Sequence, residues 1–452
     1  MKRPLVTTLL IAIMASSLLF VTSAHFAMAQ TGTNVSGIIS QDTTWTPSNG
    51  PYNFTGDVTI ASGVILTIEP GTEVTQFSGC DSYFPPGEFF TLQVNGTLRA
   101  EGTDEEPIGF GNLMIVFSPS STSWNTQTSS GSIMQYTEYA SGVQTNNASP
   151  KIDNNQVESV AVWGGSPIIS NNVVITGIGV ETGSPVIYNN TITAESEGYP
   201  TEAPAINFEG QNTALVYDNH ITGEFSVSAG SPVIENNFIS GSVVMSAGSP
   251  LVKNNFIRFG GITIYGNTNP LIENNTIATN TIGLNIYDSK ESPSPTIEYN
   301  NFEQNSQYNI YLGLQGSYGS TAPNVNASNN WWGTTDISVI NQTIYDFKDN
   351  YNVGTVTFTP ILNAPNTEAT PNPNAPISTS NPAQTATPTA QPGQSSSPST
   401  QPNTQNPTWT LTETELLGVI AVLLAVILGL FVTFIIFWRR TKTPKVSKQE
   451  LE

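Results

Sequence analysis

The side chains best suited to chemistry gather in one stretch, Thr193 to Asn212, which holds Glu195, Glu197, Glu202 and Glu209 beside Tyr199 and Phe208. Glycoside hydrolysis uses two carboxyl groups about 5 to 9.5 Å apart, one acting as acid and the other as base or nucleophile. Four glutamates in one loop offer such a pair, and loops projecting from a rigid scaffold are natural sites for function. The same oxygens suit weak Ca²⁺ or glycan binding without turnover. Acids in a polar loop are more often simply solvated. The loop is therefore read as a ligand-binding candidate built from Glu195, Glu197, Tyr199, Glu202 and Glu209, with no catalytic residue assigned.

Other reactive types are scarce. Cys80 is the one cysteine, so neither an intramolecular disulfide nor a thiolate metal cluster is open to this chain. His220 is the one histidine beyond the first 29 residues and reads as a solvated side chain rather than a base or ligand. No metal or cofactor is expected. Asn34, Asn53, Asn95, Asn147, Asn326 and Asn341 each open an Asn-x-Ser/Thr triplet and are the candidate N-glycosylation sites.

Charge narrows the partners. The chain carries 34 acidic residues against 13 basic ones, a formal net charge of −21. Lys2 and Arg3 open it and Arg439, Arg440, Lys442, Lys445 and Lys448 close it, leaving Arg99, Lys151, Lys253, Arg258, Lys290 and Lys348 between. A surface this acidic does not neutralise phosphates, so nucleic acid is excluded as a partner, while cations and neutral glycans remain open.

The elements that must position the loop are repeats. From residue 149 a unit recurs as Ser149-Pro150…Asn154-Asn155, Ser166-Pro167…Asn171-Asn172 and Ser184-Pro185…Asn189-Asn190. It returns at Ser231-Pro232, Ser249-Pro250, Asn269-Pro270 and, stretched, at Ser294-Pro295 and Ala322-Pro323, with a degenerate copy at Thr213-Ala214…Asp218-Asn219. A period of about 18 residues fits one turn of an all-β parallel solenoid with about three short strands per coil. Isoleucines or valines beside the asparagines stack inward, and asparagine tolerates the left-handed backbone of the bend. Equivalent amides about 4.8 Å apart hydrogen-bond along the axis. Proline sits at a corner that needs no ladder donor, and Gly164-Gly165, Gly183 and Gly230 mark another bend. Glu235, Lys253 and Glu273 line up as an alternating charge ladder. Asn189 and Asn274 also open glycosylation triplets, but their place in the amide ladder competes with that use.

These Asn-Asn repeats resemble those of right-handed parallel β-helices in the pectin-lyase-like superfamily. The flanks are similar to those of a group of archaeal and bacterial surface β-helix proteins, through Leu66-Thr-Ile-Glu69-Pro70-Gly71-Thr72 and Leu92-Gln-Val-Asn95-Gly96-Thr97-Leu98 at the front and Asn329-Asn330-Trp331-Trp332-Gly333 at the back. The resemblance implies a right-handed solenoid; its ends expose an apolar layer and must be capped, where Trp331 and Trp332 suit the C-terminal plug, an aromatic platform for a sugar being their alternative reading. It also implies what a lyase of this fold would need, clustered carboxylates for Ca²⁺ beside a basic residue. Neither Arg99 nor Arg258 has such a cluster in its own or adjacent coils. A copper-handling relative of the fold would need soft ligands, and Cys80, His220, Met114, Met134 and Met245 are too few.

The ends address the chain. Residues 1–29 read as a secretory signal with cleavage after Ala29, 30–57 as an N-terminal cap and 58–362 as the β-helix. Residues 363–410, rich in Pro, Ser and Thr, read as a disordered, O-glycosylated stalk. Residues 416–438 carry no charge and as a helix reach about 35 Å, against a hydrocarbon core of about 30 Å. The basic tail, 439–452, then lies inside and the β-helix outside a single-pass cell membrane. The expected function is a non-catalytic surface protein, structural or polysaccharide-binding, with a polysaccharide hydrolase using acids of 193–212 as the alternative.

Overall fold

The computed structural model describes residues 32–76, 90–194, 203–288, 293–314 and 323–372, all within the compact unit Met1–Thr387. Among the described residues every pairing between strands is parallel, in a 12-stranded sheet, a 23-stranded sheet that wraps the other two sides of each coil, and a two-stranded pair of Val325–Asn326 with Val356–Thr357. One coil shows the construction. Strand Val233–Glu235 lies on the first face, Asn236 and Asn237 turn the corner, and Phe238–Met245 runs along the second and third faces. The next coil repeats this with Leu251–Lys253 and Phe256–Ile264, in register residue for residue apart from a bulge between Gly241 and Ser242.

Three-residue strands bury too little to persist alone, so stability comes from the continuous core they stack into. Ile234, Ile239, Val243 and Met245 point inward onto Val252, Ile257, Ile262 and Ile264, all fully buried. Each such side chain contributes about 1.5–3 kcal/mol of burial. Met134 and Met245 belong to this core, which removes them as metal ligands.

The asparagine pair divides its labour. The first member takes the left-handed bend, with φ of 55° at Asn154, 56° at Asn171, 58° at Asn236 and 54° at Asn274. The second is buried and builds the ladder: Asn172 Nδ2 donates to Asn190 Oδ1 at 3.0 Å, Asn237 to Asn255 at 3.0 Å and Asn300 to Asn330 at 3.1 Å. Each of these amides also donates to a main-chain carbonyl of the coil before, as Asn237 Nδ2 does to Val216 O at 2.9 Å. The glycine bend is equally specific. Gly248 has φ 90°, and a Cβ there would overlap the carbonyl oxygen of Gly230 in the coil before. Glu235, Lys253, Glu273 and Glu298 lie in one register row, with Lys253 Nζ 3.8 Å from Glu273 Oε1.

Aromatic residues close the ends. Trp45 stacks on Tyr52 at 4.6 Å in the first coils, and Trp332, 3% exposed, stacks on Phe302 at 4.9 Å with Phe358 edge-on at 6.0 Å. A short helix, Ile337–Gln342, seats Ile340 on the plug and is capped by Asp336, whose carboxylate accepts from the Ser338 and Val339 N–H groups.

Two boundaries differ from the sequence expectation. Coiling begins inside the expected cap: Thr33–Ile39 and Thr43–Trp45 already pair in parallel with the strands after them. The first strand's largely exposed side chains hid it from a hydrophobic reading. At the other end, residues 363–372 of the expected disordered stalk lie against the solenoid, with Ala369 fully buried. Their hold is by hydrogen bonds to side-chain amides, which composition does not reveal. Among the described residues no helix is long and apolar enough to cross a membrane, and residues 1–31 and 373–452 lie outside the described set.

Candidate functional site

Strand Thr191–Thr193 ends the second face of one coil, and the chain returns to the solenoid at Ala203 before strand Ile206–Phe208. Glu195, Glu197, Tyr199 and Glu202 lie outside the described residues, between those two points. Glu209 is exposed and accepts a hydrogen bond from Asn207 Nδ2 at 2.7 Å on the third face. Phe208 is fully buried and packs on Phe225, so it belongs to the core and not to the loop's surface.

Ala194 and Ala203 border an open notch of about 400 Å³ at the corner between the second and third faces. Its floor is a column of glycines, Gly223, Gly241 and Gly260, packed so closely that a Cβ on Gly241 would overlap the Gly223 carbonyl. Removing side chains from successive coils at one corner is what makes the concavity. Thr193, Thr222, Glu224, Ser242 and Phe259 line its walls.

Phe259 is the unusual member. A phenylalanine at φ 67° pays a steric cost of about 1–3 kcal/mol. Here it leaves the ring 66% exposed. Behind it the Arg258 guanidinium sits 4.7 Å from the Phe259 ring and 4.5 Å from that of Phe238. Arg99, Lys151, Lys253 and Lys348 all pair with carboxylates; among the described residues Arg258 makes no ion pair. It packs against both rings, with its Nε buried and without a hydrogen-bond partner. Glu224 accepts from the Ser242 hydroxyl at 3.4 Å, and it adds to the burial and Tyr287 that push the neighbouring Tyr265 phenol up. The notch thus brings together an open ring, hydroxyls and one carboxylate, with the Arg258 guanidinium packed on the ring from outside the lining, a set that hydrogen-bonds sugar hydroxyls and stacks on a pyranose face. Sequence reading missed Glu224, Arg258 and Phe259. Their signal was the glycine-bearing corner interrupted by an aromatic residue.

Other aromatic rows do not offer such a surface. His220 stacks on Phe238 at 4.9 Å, Phe238 on Phe256 at 5.2 Å and Tyr265 on Tyr287 at 5.3 Å, near-parallel along the axis, so each of these rings has at least one face covered by a neighbour. Tyr188 and Tyr217 stack likewise at 5.0 Å, and burial, with Tyr188 and Asp218 nearby, pushes the Tyr217 phenol up to about 12. A second concavity, of about 250 Å³, sits at the asparagine corner near Asp104, Glu138, Asn154 and Asn171. Among the described residues no three His, Cys, Asp or Glu side chains gather as a metal site.

The glycosylation candidates divide by exposure. Asn34, Asn147, Asn326 and Asn341 are exposed, while Asn53 and Asn95 are half-buried. Asn189 donates to Asn171 at 2.8 Å and Asn274 accepts from Asn366 at 2.9 Å, so both are engaged.

Residues 141–344 match the family model described as a right handed beta helix region. No curated protein and no solved structure matches the chain.

Proposed function

The chain is a right-handed parallel β-helix repeat protein, and on that premise we propose that its solenoid is a non-catalytic polysaccharide-binding surface displayed outside the cell. The observation that carries this reading is the notch at Gly223, Gly241 and Gly260, where Phe259 holds a strained, open ring beside Glu224 and the loop that leaves at Ala194 and returns at Ala203. Display rests on the leader of residues 1–29, the Pro/Ser/Thr-rich stretch to 410 and the uncharged segment 416–438 followed by basic residues. Exposed Asn34, Asn147, Asn326 and Asn341 supply glycan acceptors on that exterior, with Asn53 and Asn95 less open.

A glycan array followed by titration of the best ligand tests it. Binding is expected to weaken at least tenfold on Phe259→Ala and to fall on Glu224→Gln; unchanged binding in both variants sinks the assignment of the notch. Hydrolysis is the second reading, favoured by Glu224 lining the notch from which the glutamate-bearing loop departs. Reducing ends released by the wild type, and lost on Glu195→Gln or Glu202→Gln, would establish it and overturn the non-catalytic one.

A further inference from the structure

Residues 364–372 run back along the corner between the first and second faces, from the coil of Asn301 toward that of Asn236. Asn301 clamps the main chain of Asn366 from both sides: its Nδ2 donates to Asn366 O at 3.0 Å and its Oδ1 accepts from Asn366 N–H at 2.8 Å. Asn254 Nδ2 donates to Glu368 O at 3.1 Å, the Thr276 hydroxyl donates to Ala369 O, and Asn372 N–H reaches Asn236 Oδ1 at 3.4 Å. The groove therefore reads main-chain groups at four residues of the strap, as a sheet edge reads an added strand.

Two side chains give it sequence preference. Asn366 Nδ2 donates to Asn274 Oδ1 at 2.9 Å and to Tyr299 O at 2.6 Å, and Ala369 is fully buried. The recognised pattern is Asn-x-x-Ala, which this chain carries after a proline. It occurs as Pro365-Asn366-Thr-Glu-Ala369 and again six residues on as Pro371-Asn372-Pro-Asn-Ala375.

The corner also has an alternative without the strap. Farther along it Asn189 Nδ2 donates to Asn171 Oδ1 at 2.8 Å and Asn171 Nδ2 to Asp153 Oδ1 at 2.7 Å, so the bend asparagines satisfy one another. Under the strap that pairing is broken, and Asn236 Nδ2 and Asn254 Oδ1 are buried with no hydrogen-bond partner. Docking is thus offset by a cost that undocking recovers. We propose that this corner is a linear-peptide site, filled in cis by residues 364–372 and open in trans to the same Asn-x-x-Ala segment of a second copy of this chain. Exchange between copies conserves every strap–groove bond, the condition under which swapping is inexpensive.

The test uses the full chain in two complementary forms. Ala369→Trp, combined with Ala375→Trp so that the second motif cannot seat in its place, prevents the strap from seating and leaves the groove free; Thr276→Val with Asn301→Asp spoils the groove and leaves the strap free. A labelled peptide of residues 362–376 is expected to bind the Ala369→Trp, Ala375→Trp chain at least tenfold tighter than wild type, where the tethered strap competes. Asn366→Ala in the chain should also raise peptide binding, without introducing bulk. Mixed together, the two complementary forms are expected to associate one to one while neither associates with itself. No saturable peptide binding by the Ala369→Trp, Ala375→Trp chain and by Asn366→Ala, equal binding of a scrambled peptide, or failure of the mixed forms to associate would overturn the proposal.

Discussion

Asn237 is where the amide ladder is most open to a quantitative test. Its Nδ2 donates to Val216 O at 2.9 Å, Glu235 O at 3.0 Å and Asn255 Oδ1 at 3.0 Å, and its Oδ1 accepts from the Asn219 main-chain and side-chain N–H groups at 3.0 Å. The side chain is fully buried. Asn237→Ala removes all of these bonds and strands carbonyls that no water reaches. At a net of about 1 kcal/mol for each bond, reduced because partners are shared, the loss should be about 3–5 kcal/mol. Asn237→Asp should be worse at neutral pH, since it turns a carboxylate oxygen toward three acceptors, and should recover partly in acid. Urea unfolding followed by both far-UV circular dichroism and tryptophan fluorescence measures the loss, with coincidence of the two curves checked because repeat arrays can unfold in parts. A loss below about 1 kcal/mol for Ala, or equal tolerance of Asp and Ala at pH 7, would refute the ladder as a main stabiliser.

Asp218→Asn restores the repeat's usual residue at the bend. Burial and then Glu235 raise the Asp218 carboxyl, so the folded state disfavours its ionised form and stability falls as pH climbs from 3.8 through the raised value. The variant should therefore raise the urea midpoint at pH 7, with the gain gone near about pH 3, where Asp218 is protonated in either state. Asp153 has the opposite sign: burial alone would raise it, but hydrogen bonds from Lys151, Ser170 and Asn171 hold it below 3.8, so its contribution is complete above the ordinary carboxylate range and is lost as pH falls through the lowered value. Ser170→Ala, which removes the 2.6 Å bond to Asp153, should shift that loss to higher pH in an acid unfolding series. Gly248→Ala forces a Cβ into the Gly230 carbonyl and should cost more than about 1 kcal/mol in the same urea assay. Phe259→Gly should stabilise by about 1 kcal/mol, because it relieves a positive φ, while weakening glycan binding; the two readouts moving in opposite directions is the expected signature.

The solenoid was legible because its positions obey local rules that survive in the sequence. Ile234 and Ile239 announce an inward layer, Gly183 and Gly230 a bend, and the Asn-Asn pair a corner. What the pair alone did not disclose was that one member bends and the other bonds, since that division depends on which amide faces the interior. The notch was less legible. Gly223, Gly241 and Gly260 are far apart in sequence and become one floor only once the coils stack, and Arg258 gains its setting from Phe238 in the coil before. Phe208, grouped with the loop in sequence, was hidden for a related reason: it is adjacent to polar residues yet takes an inward register position opposite Val227 and packs on Phe225. The strap escaped notice because Asn366, Thr367, Glu368 and Ala369 carry no large apolar side chain, and their affinity resides in main-chain groups common to every residue.

The direction of that strap has a mechanical consequence. The chain leaves the last coils at Leu362, whose N–H bonds Asn330 O at 3.0 Å, and then turns back toward Asn236. Tension on anything joined beyond Asn372 therefore meets the flank of the rod before it meets the plug. A pull toward the C-terminal end peels the contacts in sequence, from Asn236 to Asn254 to Asn301, each bearing the load alone. A pull toward the N-terminal end loads them together in shear. The same few bonds are weak in one direction and strong in the other, and the aromatic plug at Trp332 is spared until all of them have yielded.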